Sequence, residues 1–171
     1  LGEVEQLELN HQGLRRLHGL AKLGNLRRAS FADNELGRIE GLDECTLLEE
    51  LNLEDNQIAA LTGLESTLYL KKLDLGKNML SRIDHLDHLV HLTQLSLEDN
   101  AIESLDGLQA LGNLMELYIG NNSVSVLKEI KLLKELPKLI ILDLSGNPLC
   151  AHDYYRLYSI YYLQKLKVLD G

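Results

Sequence analysis

The 171-residue chain has no tryptophan, one phenylalanine, two prolines and two cysteines. Cys45 and Cys150 lie more than a hundred positions apart and outside any CxxC, which excludes a disulfide framework and a zinc site of the usual spacing and reads as reduced, cytoplasmic thiols. Cations are in deficit: 17 Lys and Arg stand against 26 Asp and Glu, a net charge of −9. That counts against direct binding to nucleic acid or to an anionic membrane, both of which need a cationic footprint. No run of 18 apolar residues is present, as a membrane-spanning helix would require. Leu1-Gly2-Glu3-Val4 carries neither an initiator Met nor a basic, apolar signal segment, so the sequence is expected to be a piece of a longer protein. Phosphate-cradling GxxxxGK, dinucleotide GxGxxG, GxSxG and HExxH motifs are all missing, which sets aside enzyme, cofactor and metal readings. With 45% hydrophobic and 25% charged residues, the chain has the composition of one globular domain over residues 1–171.

What the chain has in excess is leucine: 43 residues, a quarter of the total. Written in rows of 22 from Val4, the sequence puts Leu26, Leu48, Leu70, Leu92 and Leu114 at the head of successive rows. A row reads L-x-x-L-x-L-x-x-N-x-L/I-x-x-L/I-x-x-L, as in Leu48, Leu51, Leu53, Asn56, Ile58, Leu61 and Leu64. The ninth column is Gln12, Asn34, Asn56, Asn78, Asn100, Asn122 and, displaced by three, Asn147. The displacement places an insertion around Leu127 to Leu136, and about seven repeats over residues 4–147.

Alternation in L-x-L predicts a short strand with one buried face. The asparagine that follows ends it, because its amide can satisfy backbone groups where the chain turns, and stacking lets one row's Asn serve the next. Later leucines recur every three residues, which suits an extended or 3₁₀-like return. One row cannot bury its leucine edge alone, so the rows must stack into a curved solenoid, with a parallel β-sheet on the concave face and the returns on the convex face. Asp153 to Lys165 is a helix candidate, and five of the seven tyrosines cluster there to close the last row. The first row leaves a bare sheet edge that must be protected by upstream sequence or an unusual end arrangement.

This pattern resembles the leucine-rich repeat family, in its 22-residue intracellular subclass typified by the nuclear phosphatase-1 regulator. Asn147-Pro148-Leu149, Asp153-Tyr154-Tyr155-Arg156 and Leu166-Lys167-Val168-Leu169-Asp170-Gly171 resemble the C-terminal cap of such proteins, over residues 148–171. Leu26-Arg27-Arg28-Ala29-Ser30-Phe31 and Ile140-Ile141-Leu142-Asp143-Leu144 are similar to phrases in one module of a large multi-repeat protein of ciliated cells. The resemblance implies an α/β leucine-rich repeat solenoid that binds proteins and performs no catalysis.

By alternation the third, fifth, seventh and eighth columns are expected on the concave face. Those 28 positions hold ten acidic and three basic residues, a net −7 of the chain's net −9. Candidate protein-binding residues are Glu50, Asn52, Glu54, Asp55, Asp74, Ser96, Glu98, Asp99, Glu116, Tyr118, Asn121, Ile141 and Asp143. A concave surface that collects carboxylates steers a partner bearing a basic patch, and Tyr118 and Ile141 supply the kind of anchor found in binding hot spots. Burial under the cap is the rival reading for Ile140 and Ile141. His85, His88 and His91 recur every three residues and would align along a 3₁₀-like return, but an exposed polar column forced by the repeat explains them better than a metal. The expected function is therefore a monomeric, cytoplasmic or ciliary module docking one folded protein. Relatives suggest a small GTPase of the Arf-like or Ran-like kind, a phosphatase catalytic subunit, a dynein heavy chain or a helix of an RNA-binding protein. The competing expectation is a rigid spacer in an axonemal scaffold.

Overall fold

The structure, a computed structural model, describes residues 3–171. Eight parallel strands follow chain order in one sheet: β1 Gln6–Glu8, β2 Arg28–Ser30, β3 Glu50–Asn52, β4 Lys72–Asp74, β5 Gln94–Ser96, β6 Glu116–Tyr118, β7 Ile141–Asp143 and β8 Val168–Leu169. Registers follow the rows, with Leu51 opposite Leu73 and Leu73 opposite Leu95. Each strand except the last covers the third to fifth positions of a row, so its central residue points inward and its two flanking residues line the concave face. The sixth position is inward again: Leu53, Leu75, Leu97 and Ile119 are fully buried. Row two exchanges sizes, with Ala29 on the strand and Phe31 at the sixth position, both buried in the same core.

The ninth-column asparagines tie the rows together. Asn56 donates through Nδ2 to the carbonyls of Leu53 (3.1 Å) in its own row and Phe31 (3.0 Å) in the row before, and its Oδ1 accepts from the amide of Leu36 (3.0 Å), also in the row before. Asn78, Asn100, Asn122 and Asn147 repeat this pattern. The bridge thus runs to the preceding row, opposite to the direction expected from the sequence, because the turn carbonyls of one row face the asparagine stacked after it. Among the described residues no buried side-chain nitrogen or oxygen lacks a partner.

Two of three expectations need correction, the first and the third, and the second holds. First, the eighth column is not a continuation of the strand: His11, Asp33, Asp55, Lys77, Asp99 and Asn121 all have φ between 51° and 58°. Such left-handed residues make the turn off the sheet, and Asp and Asn are among the side chains that tolerate it. Asp55, Asp99 and Asn121 therefore stand on the turn edge and not on the sheet face. Second, the returns are extended or 3₁₀-like as expected. Three-residue bonds such as those from the Cys45 amide to Leu42 O (2.9 Å) and the Thr67 amide to Leu64 O (3.0 Å) recur, and 3₁₀ helix proper occurs at Leu20–Lys22, Leu127–Glu135 and Pro148–Ala151, the longest falling on the insertion. Third, the terminal helix, α1, is shorter than Asp153–Lys165 and spans Tyr155–Tyr162, because the chain then turns at Leu163, whose amide bonds Ser159 O, to form the eighth strand β8.

Glycine is dictated at two returns. A Cβ on Gly63 (φ 97°) would lie 2.0 Å from Ile39 O, and one on Gly107 (φ 99°) equally close to Ile83 O. His85 occupies the same column at φ 55°.

Candidate protein-interaction face

The sheet places Glu50, Asn52, Asp74, Glu116, Tyr118, Ile141 and Asp143 on the concave face, all half-buried, with Glu54 and Glu98 just beyond their strands. Ser96, expected to be open, is buried at 8% exposure between its neighbours. Ile141 is shielded from one side by Val168 of β8, and Ile140 O accepts from the amides of Lys167 (2.8 Å) and Val168 (3.1 Å), so the cap does cover this end of the face.

Charge divides the face in two. Over β1 to β5 a shallow concavity of about 350 Å³ is lined by residues of both signs, including Glu8, Arg28, Glu50, Lys72 and Asp74. Cations here are mostly paired. Glu49 binds both Arg27 and Lys71 at 2.7 Å, Lys72 reaches Glu50 at 3.5 Å, and Lys77 reaches Glu54 at 2.7 Å. The hydrogen bonds from Lys71 and Arg27 hold the Glu49 carboxyl below the usual range.

Toward β6 and β7 the cations end and the carboxylates do not. Burial first, and then the fields of Asp143, Asp99, Asp74 and Glu54, raise the Glu98 carboxyl above its ordinary value. Asp74 is raised chiefly by burial, against hydrogen bonds from Gly76 and Ser96. The Tyr118 phenol, which donates to Glu116 Oε2 at 2.9 Å, is raised by burial, by that bond and by the fields of Glu116, Glu98 and Asp143. Seventh-column glycines, Gly76 and Gly120, flank Glu98 in the next rows and add no side chain of their own.

Several of these acids also serve the fold. Asp74 Oδ1 accepts from the Gly76 amide (3.0 Å), Asp143 Oδ1 from the Ser145 amide (2.8 Å) and hydroxyl (2.6 Å), and Asn52 Oδ1 from the Glu54 amide (2.8 Å). These are turn-closing bonds that short polar side chains make wherever a strand ends this way. The Glu98 carboxylate accepts no hydrogen bond and joins no salt bridge among the described residues, so nothing in the fold asks for it.

The three histidines are engaged separately: His88 Nε2 donates to Leu64 O (2.9 Å), His91 stacks on Tyr69 with centroids 5.7 Å apart, and His85 makes the left-handed turn. Among the described residues no group of three His, Cys, Asp or Glu could hold a metal ion. No helix there is long and apolar enough to cross a membrane. Sequence reasoning missed the outer surface of the C-terminal end, where Tyr154, Leu157, Ile160 and Tyr161 are exposed beside the inserted 3₁₀ helix. The signal was available as Lys128-x-x-Lys131-x-x-Lys134, which becomes one edge only when the insertion is 3₁₀.

Comparison with known proteins agrees with this architecture. The family model for the leucine-rich repeat matches residues 49–171. No curated protein matches the chain. Among solved structures, an internalin of Listeria monocytogenes superposes with a TM-score of 0.86 at 26% identity, covering 99% of this chain and 48% of that one. A leucine-rich repeat protein of Leptospira interrogans gives 0.78 at 25% identity over 87% of this chain and 38% of its own length. The chain therefore spans less than half the length of either. A chain of the Drosophila melanogaster SNF/U2A' complex gives 0.63 at 32% identity, with 67% of each chain covered.

Proposed function

The chain belongs to the leucine-rich repeat family, and from that premise we propose that it is a non-enzymatic interaction module whose concave face docks a folded protein through a basic patch. The observation that carries this reading is Glu98: a carboxylate without a cation, its proton affinity raised by burial and by Asp143, Asp99, Asp74 and Glu54, next to the half-buried Tyr118. Uncompensated charge of one sign attracts and selects a partner of the other, and a rigid aromatic beside it supplies contact area. Glu98, Glu116 and Tyr118 form the centre of the proposed interface. Glu50, Asn52, Glu54, Asp74, Ser96, Ile141 and Asp143 surround it, and Asp55, Asp99 and Asn121 form its turn-side rim. Repeats of this family occur in protein complexes, as the SNF/U2A' structure illustrates.

Finer assignments rest on resemblance. Phrases such as Ile140-Ile141-Leu142-Asp143-Leu144-Ser145-Gly146 resemble a module of leucine-rich repeat-containing protein 9, and with it the 22-residue subclass, a ciliary or cytoplasmic setting and a monomeric state are proposed. A small GTPase of the Arf-like kind fits that setting best; a phosphatase catalytic subunit, a dynein heavy chain and a helix of an RNA-binding protein are the other partner classes suggested by relatives. The spacer reading draws support from Asp74 and Asp143, whose side chains close turns, and from Asp55 and Asp99, whose left-handed backbone favours Asp. A pull-down from ciliated-cell extract with added GTP or GDP analogues separates the two. Nucleotide-dependent capture by wild type, lost with Glu98→Lys/Glu116→Lys/Tyr118→Ala, identifies a GTPase on this face, and equal recovery by both baits favours the spacer.

A further inference from the structure

The C-terminal end of the solenoid has the opposite electrostatic character from the rest. Residues 127–171 hold 7 Lys and Arg against 5 Asp and Glu, whereas residues 1–126 hold 10 against 21. The insertion in the sixth row forms the 3₁₀ helix Leu127–Glu135. With three residues per turn, its inward edge is Leu127, Ile130 and Leu133, the last two buried. Another edge is Lys128, Lys131 and Lys134, all exposed and about 6 Å apart along the axis. Of its two carboxylates, Glu129 accepts from the Leu105 amide at 2.6 Å, and Glu135 is exposed.

Helix α1 packs on this element, and Lys131 Nζ sits 4.8 Å from the Tyr162 ring centroid and 6.0 Å from that of Tyr158. The other side of α1 is uncovered. Leu157 (69% exposed), Ile160 (57%) and Tyr161 (69%) project from a helix that buries only Tyr155 and Ser159, and Tyr154 (64%) precedes them. A groove of about 450 Å³ runs between the two elements, lined by Leu133, Lys134, Pro137, Tyr161, Tyr162 and Lys165 among others. Among the described residues none of Lys128, Lys131, Lys134, Lys138 or Lys165 is in a salt bridge, whereas Lys71, Lys72 and Lys77 of the sheet side all are.

We propose that this end is a second docking surface, separate from the concave face, for an acidic amphipathic segment of a protein partner. The segment lays its apolar side chains over Leu157, Ile160 and Tyr161 and turns its carboxylates to Lys131, Lys134 and Lys165. Charge complementarity selects that occupant: Lys131 rests on tyrosine rings and Lys165 donates to Pro137 O (2.9 Å), but among the described residues none of these ammonium groups has an intramolecular carboxylate, and carboxylates at similar spacing match them. Exposed Leu157 and Ile160 offer nothing to a phosphate backbone, whose binding is carried by cations and stacking rings. The acidic remainder of the solenoid opposes approach to an anionic bilayer.

Fluorescence anisotropy tests it with two labelled synthetic amphipathic helices that share a Leu/Phe face and carry Glu or Lys on the other. A uridine oligonucleotide and phosphatidylserine vesicles are separate arms. The Glu peptide is expected to bind, to weaken at least tenfold with Leu157→Ser/Tyr161→Ser and with Lys131→Glu/Lys134→Glu, and to be unaffected by Glu98→Lys/Tyr118→Ala. All substituted positions except the half-buried Glu98 and Tyr118 are exposed, and unchanged circular dichroism verifies that each variant folds. Equal binding of the Glu and Lys peptides to the Glu98→Lys/Tyr118→Ala variant, whose acidic concave face is disabled, indifference to the cap variants, or tighter binding of the oligonucleotide or vesicles overturns the proposal. None of those outcomes bears on the concave face, whose own variant is read in the same assay.

Discussion

The phenol of Tyr155 donates to Asp170 Oδ1 at 3.1 Å, and the same oxygen accepts from the Leu144 amide at 2.8 Å. This pair closes the solenoid. Asp170, with φ 53°, repeats at the end of β8 the left-handed turn that Asp55 and Asp99 make in the rows, and Tyr155 fixes α1 across the last core layer. Removing only the hydroxyl, Tyr155→Phe, is expected to cost about 1 kcal/mol in urea unfolding. Asp170→Ala, which also strips the Leu144 amide of its acceptor, costs more.

The asparagine ladder makes a sharper prediction. Asn56→Ala leaves the buried Leu36 amide and the Phe31 and Leu53 carbonyls without their side-chain partner, for an expected loss of about 3 kcal/mol. Gln12 is exposed at the head of the ladder, so Gln12→Ala should shift the midpoint within error. Thermal melts of the two variants side by side measure the difference.

At Gly63 the backbone leaves no room for a side chain: φ is 97°, and an added Cβ falls 2.0 Å from Ile39 O. Gly63→Ala is expected to destabilise by about 2–4 kcal/mol. Gly13→Ala, at φ 64° with open space around it, should cost about 1 kcal/mol, the left-handed penalty alone. Near-equal losses in chemical denaturation would contradict this steric account.

How much of this was legible in the sequence depends on the periodicity. The 22-residue register fixed which leucines are core, where the strands fall and where the insertion lies, because each follows from stacking identical rows. What periodicity could not reveal is conformation inside a column. Asp55, Asp99 and Asn121 look like more sheet face until their φ values show a turn, and Ser96 looks open until its neighbours close over it. The eighth strand was hidden because Val168-Leu169 follows α1 without a full row behind it.

The acidic cluster predicts a pH dependence of definite sign. Glu98 binds its proton more tightly folded than unfolded, because burial and the neighbouring carboxylates raise it. Its contribution is therefore present at low pH and lost as pH rises from the ordinary glutamate value through the raised one. Glu49, lowered by Lys71 and Arg27, contributes above the ordinary value and loses that contribution as pH falls through its own. Glu98→Gln is expected to melt above wild type at neutral pH, with the gap closing toward about pH 4. Glu49→Gln should melt below it, with the deficit shrinking as the solution is acidified. A pair of melts across that range checks both signs.

The most direct test of the concave face compares three baits in one pull-down: wild type, Glu98→Lys/Glu116→Lys on the sheet side, and Glu103→Lys/Asp87→Lys on the returns. Both variants change net charge equally, and Glu103 and Asp87 are exposed. A partner retained by wild type and by the return-side variant but lost from the sheet-side variant, with retention falling as salt rises, is the predicted result. Equal loss from both variants would reduce the effect to net charge, and equal retention by all three would contradict docking on this face.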